Sequence, residues 1–584
     1  MSSLFWLSIP LLLAAIVYQV GTPVLVANLI SGNIFFNIIS NIFSTTHCYV
    51  SVSTLSSTLP NAECFSVSNG KFSRVFLDQT SFKITKEART GHVIPGLWDG
   101  HGHLVQYGEL LDSVNLFGAM SMDDVRRLLI DYKASHKQAG TPEQWLRGIG
   151  WDQANFEGRW PIAPDLEIND AFEQQYVMLD RVDVHCIWVS EAVLALLPSP
   201  LPDVTGGEIP AKGVFCDNAM DVVMQYYPRP NKERKTKFVQ DAMWELNKLG
   251  IVGIHDAGVF PAELDLYEEL SQGKDWNVRV YAMMECETRN TFCPAKARKI
   301  ATSNEKLFVR SVKLFGDGAL GSWGSAMIEP YSDKNSSSGS LLVNATTLSK
   351  LTLDWSTAGY QVNIHAIGDL ANRLAVDAFT EAFERLCPGQ DHRECQTQRR
   401  FRIEHSQIIH PDDQQRIFDS GIIPSIQPTH ATSDMAYAEK RLGRTRTEHE
   451  AYRMRSLLPL GPVFGSDFPV EPANVFEGIF AAVTRRSPQT GLDADGGTEG
   501  WYTEETVTVR QALEGFTIHP AYAAFLEGKA GVIQPGAYAD WVVLDDPIDA
   551  IDIESLRNVT VRETWVGGRR VYKRPGPEDI PRNG

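Results

Sequence analysis

The sequence predicts an α/β fold: a (β/α)8 TIM barrel, a small β-sandwich built from both chain ends, and a lobe inserted after the first barrel strand. Three observations predict it. Eight short apolar runs, rich in β-branched residues, alternate with longer amphipathic stretches, the pattern of parallel strands joined by helices. Short strand-like runs with glycine turns recur at both termini. Between the first and second barrel runs, residues 111–240 are rich in Trp and Asp and interrupt the alternation. A chain of 584 residues has room for more than one core.

Each element follows in chain order. Residues 4–20 read LFWLSIPLLLAAIVYQV, and no charged side chain precedes Glu63. Residues 1–21 therefore predict a hydrophobic signal anchor or uncleaved signal, and with it a membrane-anchored or secretory-pathway location. Residues 22–92 and 528–584 predict the β-sandwich. Its pieces are VLVANLISGNIFF (24–36), a hairpin over 64–77 turning at Asn69-Gly70, and runs over 538–573 with a Gly567-Gly568 turn. Residues 93–110 and 241–527 predict the barrel. HVIPGLWDGHGH (92–103) opens it, followed by GIVGIHDAG (250–258), VRVYAMM (278–284), VRSVKLF (309–315), YQVNIHAIGD (360–369), RFRIEHSQ (400–407), IIPSIQP (422–428) and GPVFGSD (461–467). Helical patterns lie over 235–249 and 370–386, and SDKNSSSGS (332–340) reads as an exposed loop.

Composition narrows the function. The formal net charge is −18, which excludes a basic surface for nucleic acid as a general feature of the chain. Of the eight cysteines, Cys286 with Cys293 and Cys387 with Cys395 are close enough in sequence to close short loops in an oxidising lumen. No C-x-x-C array suggests a structural zinc knot. Glycosylation sequons start at Asn335, Asn344 and Asn558.

The chemistry lies at the ends of the barrel runs. His101 and His103 are two apart, so in a strand both imidazoles reach the same side. His365 ends QVNIH, His405 ends FRIEH, Asp467 ends VFGSD, and Lys313 lies within VRSVKLF. In a parallel barrel these ends converge on the C-terminal face. One such histidine alone would be a hydrogen-bonded structural residue. Four histidines, an aspartate and a lysine at the ends of the right strands, in chain order, predict a centre for a divalent metal, with zinc the natural ion for imidazole and carboxylate ligands. Asp467 is the candidate proton carrier beside it.

Here the sequence resembles a known family. VIPGLWDGHGHL (93–104), GIVGIHDAG, VKLFGDGALGSWGSAM (312–327), NIHAIGDLA (363–371), RIEHSQ (402–407), SIQPTHATSD (425–434) and GSDFPVE (465–471) resemble, in order, the motifs of the amidohydrolase superfamily and of its amidohydrolase-3 group. LRGIGWDQ (146–153) and VMLDRVDVHCIWVSEAVL (177–194) resemble that group's insertion after strand one. LEGKAGVIQPGAYADWVVLDDP (526–547) resembles its closing β-domain segment, so the likeness spans about residues 64–573.

The resemblance implies that His101, His103 and Asp467 bind one ion and that His365 and His405 bind a second. Lys313 takes the place of the superfamily's carboxylated lysine, which bridges two ions; unmodified, it would leave one ion. The implied reaction is attack of a metal-activated hydroxide on an amide, N-formyl or cyclic amide carbonyl of a small molecule, at carbon–nitrogen bonds other than peptide bonds. Alternatives are deamination or ester hydrolysis at the same site, or a non-catalytic membrane-tethered binding protein.

Gln427, His430, His185, Trp188 and Trp323 are candidate substrate contacts, Trp323 standing where the family often has Arg. His255 and Asp317 are candidates for either a substrate-facing or a supporting role, and Asp256 and Asp369 for support of the histidines. A homo-oligomer is compatible with the sequence.

Overall fold

The computed structural model describes residues 44–77, 90–169, 172–204 and 206–576. The predicted anchor over residues 1–21 and the strand–turn–strand over 24–36 lie outside the described residues. Among the described residues no helix is long and apolar enough to cross a membrane.

The N-terminal strands are β1 (Thr45–Ser53), β2 (Asn61–Ser68), β3 (Lys71–Phe76) and β4 (His92–Pro95). β2 and β3 form the predicted hairpin, with Ser68 opposite Lys71. Asn69 (φ 51°) and Gly70 (φ 74°) both take the left-handed conformation that a two-residue turn of this hand requires. The run from 92 to 103 is two strands rather than one. After β4, Pro95-Gly96 breaks the ladder, and β5 (Leu97–Gly102) starts the barrel. A side chain at Gly96 would lie 2.4 Å from Val252, so only glycine lets the chain pass between the two sheets.

The inserted lobe carries β6 (Val114–Asn115), β7 (Leu146–Trp151), β8 (Val177–Arg181), β9 (Cys186–Val189), β10 (Gly207–Ala211) and β11 (Val214–Asp217). They form one mixed sheet in the order β10-β11-β9-β8-β7-β6. Trp151 and Trp188 meet edge to face in its core at 6.0 Å.

The barrel continues with β12 (Ile251–Val259) and β13 (Arg279–Met284), then β14 (Ile300–Ala301), a short antiparallel partner of the next strand. β15 (Leu307–Phe315), β16 (Gln361–Ala366), β17 (Arg402–His405), β18 (Ile423–Ile426) and β19 (Val463–Phe464) complete it. β5, β12, β13 and β15 to β19 run parallel in that order, the predicted (β/α)8 arrangement. β19 is short, and the chain just beyond it closes the ring. Asp467 N–H donates to His101 O at 2.7 Å, and His103 N–H donates to Phe468 O at 2.9 Å. The helices Lys232–Lys248 and Asp369–Leu386 fall on the predicted helical patterns. The first is capped by the Asn231 side chain, which accepts from Arg234 N–H at 2.9 Å.

The chain ends meet through β20 (Trp541–Leu544), β21 (Glu563–Val566) and β22 (Arg569–Lys573). The result is the expected β-domain from both chain ends, hydrogen-bonded as one seven-stranded sheet, β22-β21-β20-β4-β1-β2-β3. Trp541 and Trp565 stack in its core at 4.6 Å. All eight cysteines are paired. Cys286–Cys293 and Cys387–Cys395 close the two short loops, and Cys48–Cys64 and Cys186–Cys216 join residues too far apart in sequence to be paired by inspection.

Candidate metal centre

The strand ends gather six side chains on one cavity of about 600 Å³ between the barrel mouth and the lobe: His101, His103, Lys313, His365, His405 and Asp467. Register sets their depth. Lys313 lies level with Asn363, while Phe315 lies level with His365, so Lys313 sits two residues deeper than the histidine. His365 is level with Glu404, and His405 stands one residue higher. Donor atoms of His101, His405 and Asp467 all lie within 4.8 Å of one another. Asp467 Oδ1 is 3.4 Å from His101 Nε2 and 3.1 Å from His103 Nε2. Lys313 Nζ is 3.3 Å from His101 Nε2. The His365 ring lies 4.4 Å from that of His405, with its Nε2 buried and without a hydrogen bond.

Partners behind the rings fix which nitrogen faces the cavity. His101 Nδ1–H donates to Glu404 Oε2 at 2.5 Å, leaving Nε2 toward Asp467. His405 Nδ1–H donates to Gln427 Oε1 at 2.9 Å, leaving Nε2 without that tie. Arg402 holds Glu404 from below at 2.7 Å and also donates to His255 Nδ1, Gly100 O and Ser425 Oγ. One guanidinium thus ties β5, β12, β17 and β18 together. His405 (φ 70°) and Asp467 (φ 61°) sit in left-handed backbone, which costs each about 1–3 kcal/mol and aims a strand-end side chain across the mouth.

The electrostatics suit a cation. Burial lowers His101 to about 4, and the neighbouring Lys313 pushes the same way. Burial likewise holds His365 and His405 well below the ordinary imidazole range, so all three rings are neutral near pH 7. Burial also lowers Lys313. Burial works against the Asp467 anion, yet His101 and His103 hold its carboxyl below the usual range. Neutral imidazoles around a buried carboxylate, with one imidazole nitrogen orphaned, are a donor set that a divalent cation fits.

The remaining candidates are placed as follows. His185 lines the cavity, its ring 5.6 Å from His365 and its Nδ1 2.8 Å from Asp217 Oδ1. Burial lowers its pKa, but Asp217 more than offsets this and raises it. Gln427 supports His405, where a substrate contact was expected. His430 lies behind the carboxylate, Nε2 3.8 Å from Asp467 Oδ2, its ring parallel to His405. Trp188 is wholly buried in the lobe core, donating to Ile162 O at 3.0 Å. Trp323 donates to Asp333 Oδ1 at 3.1 Å under the Arg441 guanidinium, outside the cavity lining. Neither tryptophan has access to a molecule at the centre.

Asp256 accepts from Leu104 N–H and Tyr267 O–H, and Asp369 accepts from Ile328 N–H. Asp256 ties two helices to β12 and Asp369 braces a loop, and neither holds an imidazole. Asp317 accepts the N–H groups of Ile367, Gly368 and Ala326 and lies 3.6 Å from His365 Nε2. Asp99, pushed up to about 7 by burial, straps β5 to the last strand by accepting from Ser466 N–H and O–H.

Reasoning from the sequence missed Glu404 and Arg402. The available signal was a pair of charged residues two apart within RIEH, both on the inward face of a buried strand.

A parallel barrel with a buried His/Asp/Lys centre at its C-terminal face defines the class: a metal-dependent hydrolase. The profile of the Amidohydrolase family matches residues 87–572, most of the chain, and the chain belongs to that family. It is thus an enzyme for carbon–nitrogen bonds of small molecules. Protein LONG AFTER FAR-RED 3 of Arabidopsis thaliana is 28% identical over 89% of this chain and 90% of its own length. An N-substituted formamide deformylase of Arthrobacter pascens is 24% identical over 83% of this chain and 89% of its own length. A crystal structure of an uncharacterized metal-dependent hydrolase from Pyrococcus horikoshii OT3 covers 87% of this chain and 99% of its own, with a TM-score of 0.68 and 23% identity, and supports the fold.

Proposed function

We propose that the protein hydrolyses an amide, N-formyl or cyclic amide bond of a small molecule, using zinc. The observation that carries this reading is the Asp467 carboxylate set among His101, His103 and His405 in the cavity at the barrel mouth. The likeness to an N-substituted formamide deformylase supports the bond type.

The residues divide the work. His101, His103 and Asp467 would hold one ion, and His365 and His405 a second. When bound, zinc supplies Lewis acidity to the carbonyl and lowers the pKa of a water from 15.7 to about 7. Asp467 accepts the proton of the attacking water and delivers it to the leaving nitrogen. Glu404 and Gln427 keep the His101 and His405 rings in the required tautomer. Lys313, with its charge disfavoured by burial, is suited to react with carbon dioxide as the free amine; the resulting carbamate would bridge two ions, which an ammonium cannot do.

Two measurements test this. Chelation is expected to abolish amide hydrolysis and zinc to restore it. Asp467→Asn is expected to lower kcat by about 10²–10⁴-fold, the usual yield of a positioned proton carrier. Full activity in that variant would sink the proton role.

We further propose residence in an oxidising compartment of the secretory pathway. The pairing of all eight cysteines supports it.

A further inference from the structure

We infer that the inserted lobe lends the site a hydrogen-bonding pair, His185 and Asp217, which binds the N–H of the scissile amide and is clamped by the Cys186–Cys216 disulfide. This rests on the amide-hydrolysing reading above and names how that site recognises its bond.

The pair is built by the lobe sheet. His185 immediately precedes β9 and Asp217 ends β11. The two strands are antiparallel with Cys186 directly opposite Cys216, and the disulfide joins that rung. The next rung outward is His185 and Asp217. Asp217 N–H donates to His185 O at 2.8 Å, and their side chains meet at 2.8 Å. Asp217 takes φ 51°, a left-handed conformation that a carboxylate-bearing residue adopts at a local cost.

The pair is also docked into the barrel. Gly318 and Gly324 lie in the loop after β15, the strand that carries Lys313. A side chain at either glycine would come within 2.4 Å and 2.7 Å of the Asp217 carboxylate. The loop therefore makes room for this carboxylate, and the lobe places its imidazole beside the barrel's own histidines. His185 lines the same cavity as Lys313 and Asp467, one ring away from His365, with its side chain 20% exposed.

A purely structural tie between lobe and barrel would need only the Asp217 contacts. It does not account for an imidazole standing in the cavity with Nε2 making no hydrogen bond within the described residues. In the tautomer whose Nδ1–H is committed to Asp217, Nε2 carries a lone pair, which accepts from an amide N–H. An ester has no such hydrogen to offer.

The test compares 4-nitroacetanilide with 4-nitrophenyl acetate on the zinc-loaded full chain, both substrates at the same alkaline pH. The variants are His185→Phe, Asp217→Asn and Cys186→Ser/Cys216→Ser, with Cys387→Ser/Cys395→Ser as a control disulfide. The amide-to-ester ratio of kcat/KM is expected to fall about tenfold in the first three, the worth of one hydrogen bond, and to hold in the control. Equal losses on both substrates, or none, would overturn the inference. If the serine variant does not fold, mass-verified phosphine reduction of Cys186–Cys216 in the folded wild type takes its place.

Carbethoxylation of His185 by diethyl pyrocarbonate reads the same contact without turnover. N-methylbenzamide is expected to slow the labelling and N,N-dimethylbenzamide, which lacks an N–H, to leave it unchanged; equal effects overturn the pair's role. Wild-type protein inactive on both nitro substrates would count against the hydrolase reading instead, and the labelling would still decide for or against the pair.

Discussion

At the residue scale, Glu404 bears the most on how the centre works. It has no exposed surface and stands between the His101 ring and the Arg402 guanidinium. Removing its charge leaves a buried arginine short of its partner, which costs about 3–5 kcal/mol where no water can replace it. It also frees the His101 ring. Glu404→Gln is therefore expected to lower the unfolding midpoint and to weaken zinc binding about 10–100-fold, read by denaturation and by competition with a chromogenic chelator. Unchanged zinc affinity would show that Glu404 is a structural anion alone.

The same burial sets the pH dependence of metal retention. An ordinary imidazole gains its proton near pH 6.5 and then rejects a metal. His101, lowered to about 4, stays neutral well below that. Protons therefore compete for the His101 nitrogen only toward pH 4. Zinc measured after dialysis at stepped pH is expected to remain bound through pH 5.5–6, where exposed histidines already lose theirs. Half-release near pH 6.5 would mean that the rings titrate as if exposed.

At the element scale, function depends on the joint between β5 and the last strand. β19 is too short to fix Asp467 by its own ladder. The Asp99–Ser466 contacts and the close approach at Gly465 do so instead. A side chain at Gly465 would lie 2.5 Å from His101 N, against backbone that cannot turn aside. Gly465→Ala is expected to cost about 1–3 kcal/mol of stability by overpacking. It should also separate Asp467 from His101, so that zinc content and kcat fall further than the melting shift would suggest. Normal zinc content in a destabilised protein would place the tolerance of the site above that of the joint.

The joint also shows what local sequence hides. The run HVIPGLWDGHGH reads as one strand because its apolar spacing is unbroken. Its division at Pro95-Gly96 follows from which partners are available. β1 and β20 flank the first half, and β12 flanks the second.

At the scale of the whole molecule, four disulfides staple separate parts: the terminal sheet, the lobe, the loop beyond β13 and the segment after the helix Asp369–Leu386. Mass spectrometry of native protein treated with a thiol alkylator is expected to find none of the eight cysteines labelled without reductant. Alkylation of any cysteine in folded protein would argue against the oxidising compartment. Asn335, Asn344 and Asn558 are all exposed, so nothing in their surroundings bars glycosylation there. A glycosidase-sensitive shift in mobility is expected if the chain enters the secretory pathway.

The sequence by itself determined the barrel and the ordered set His101, His103, Lys313, His365, His405 and Asp467. Strand periodicity is local, and parallel closure carries strand ends to one face whatever lies between them. The tertiary structure alone decided what stands behind each ligand and what faces it. That Glu404 serves His101, Gln427 serves His405, and Asp217 serves His185 depends on cross-strand register, on the seating of the lobe and on a disulfide spanning residues 186 and 216. The reason is range: a side chain's direction is fixed within a few residues, but its partner is fixed only when chain segments far apart in sequence are packed together.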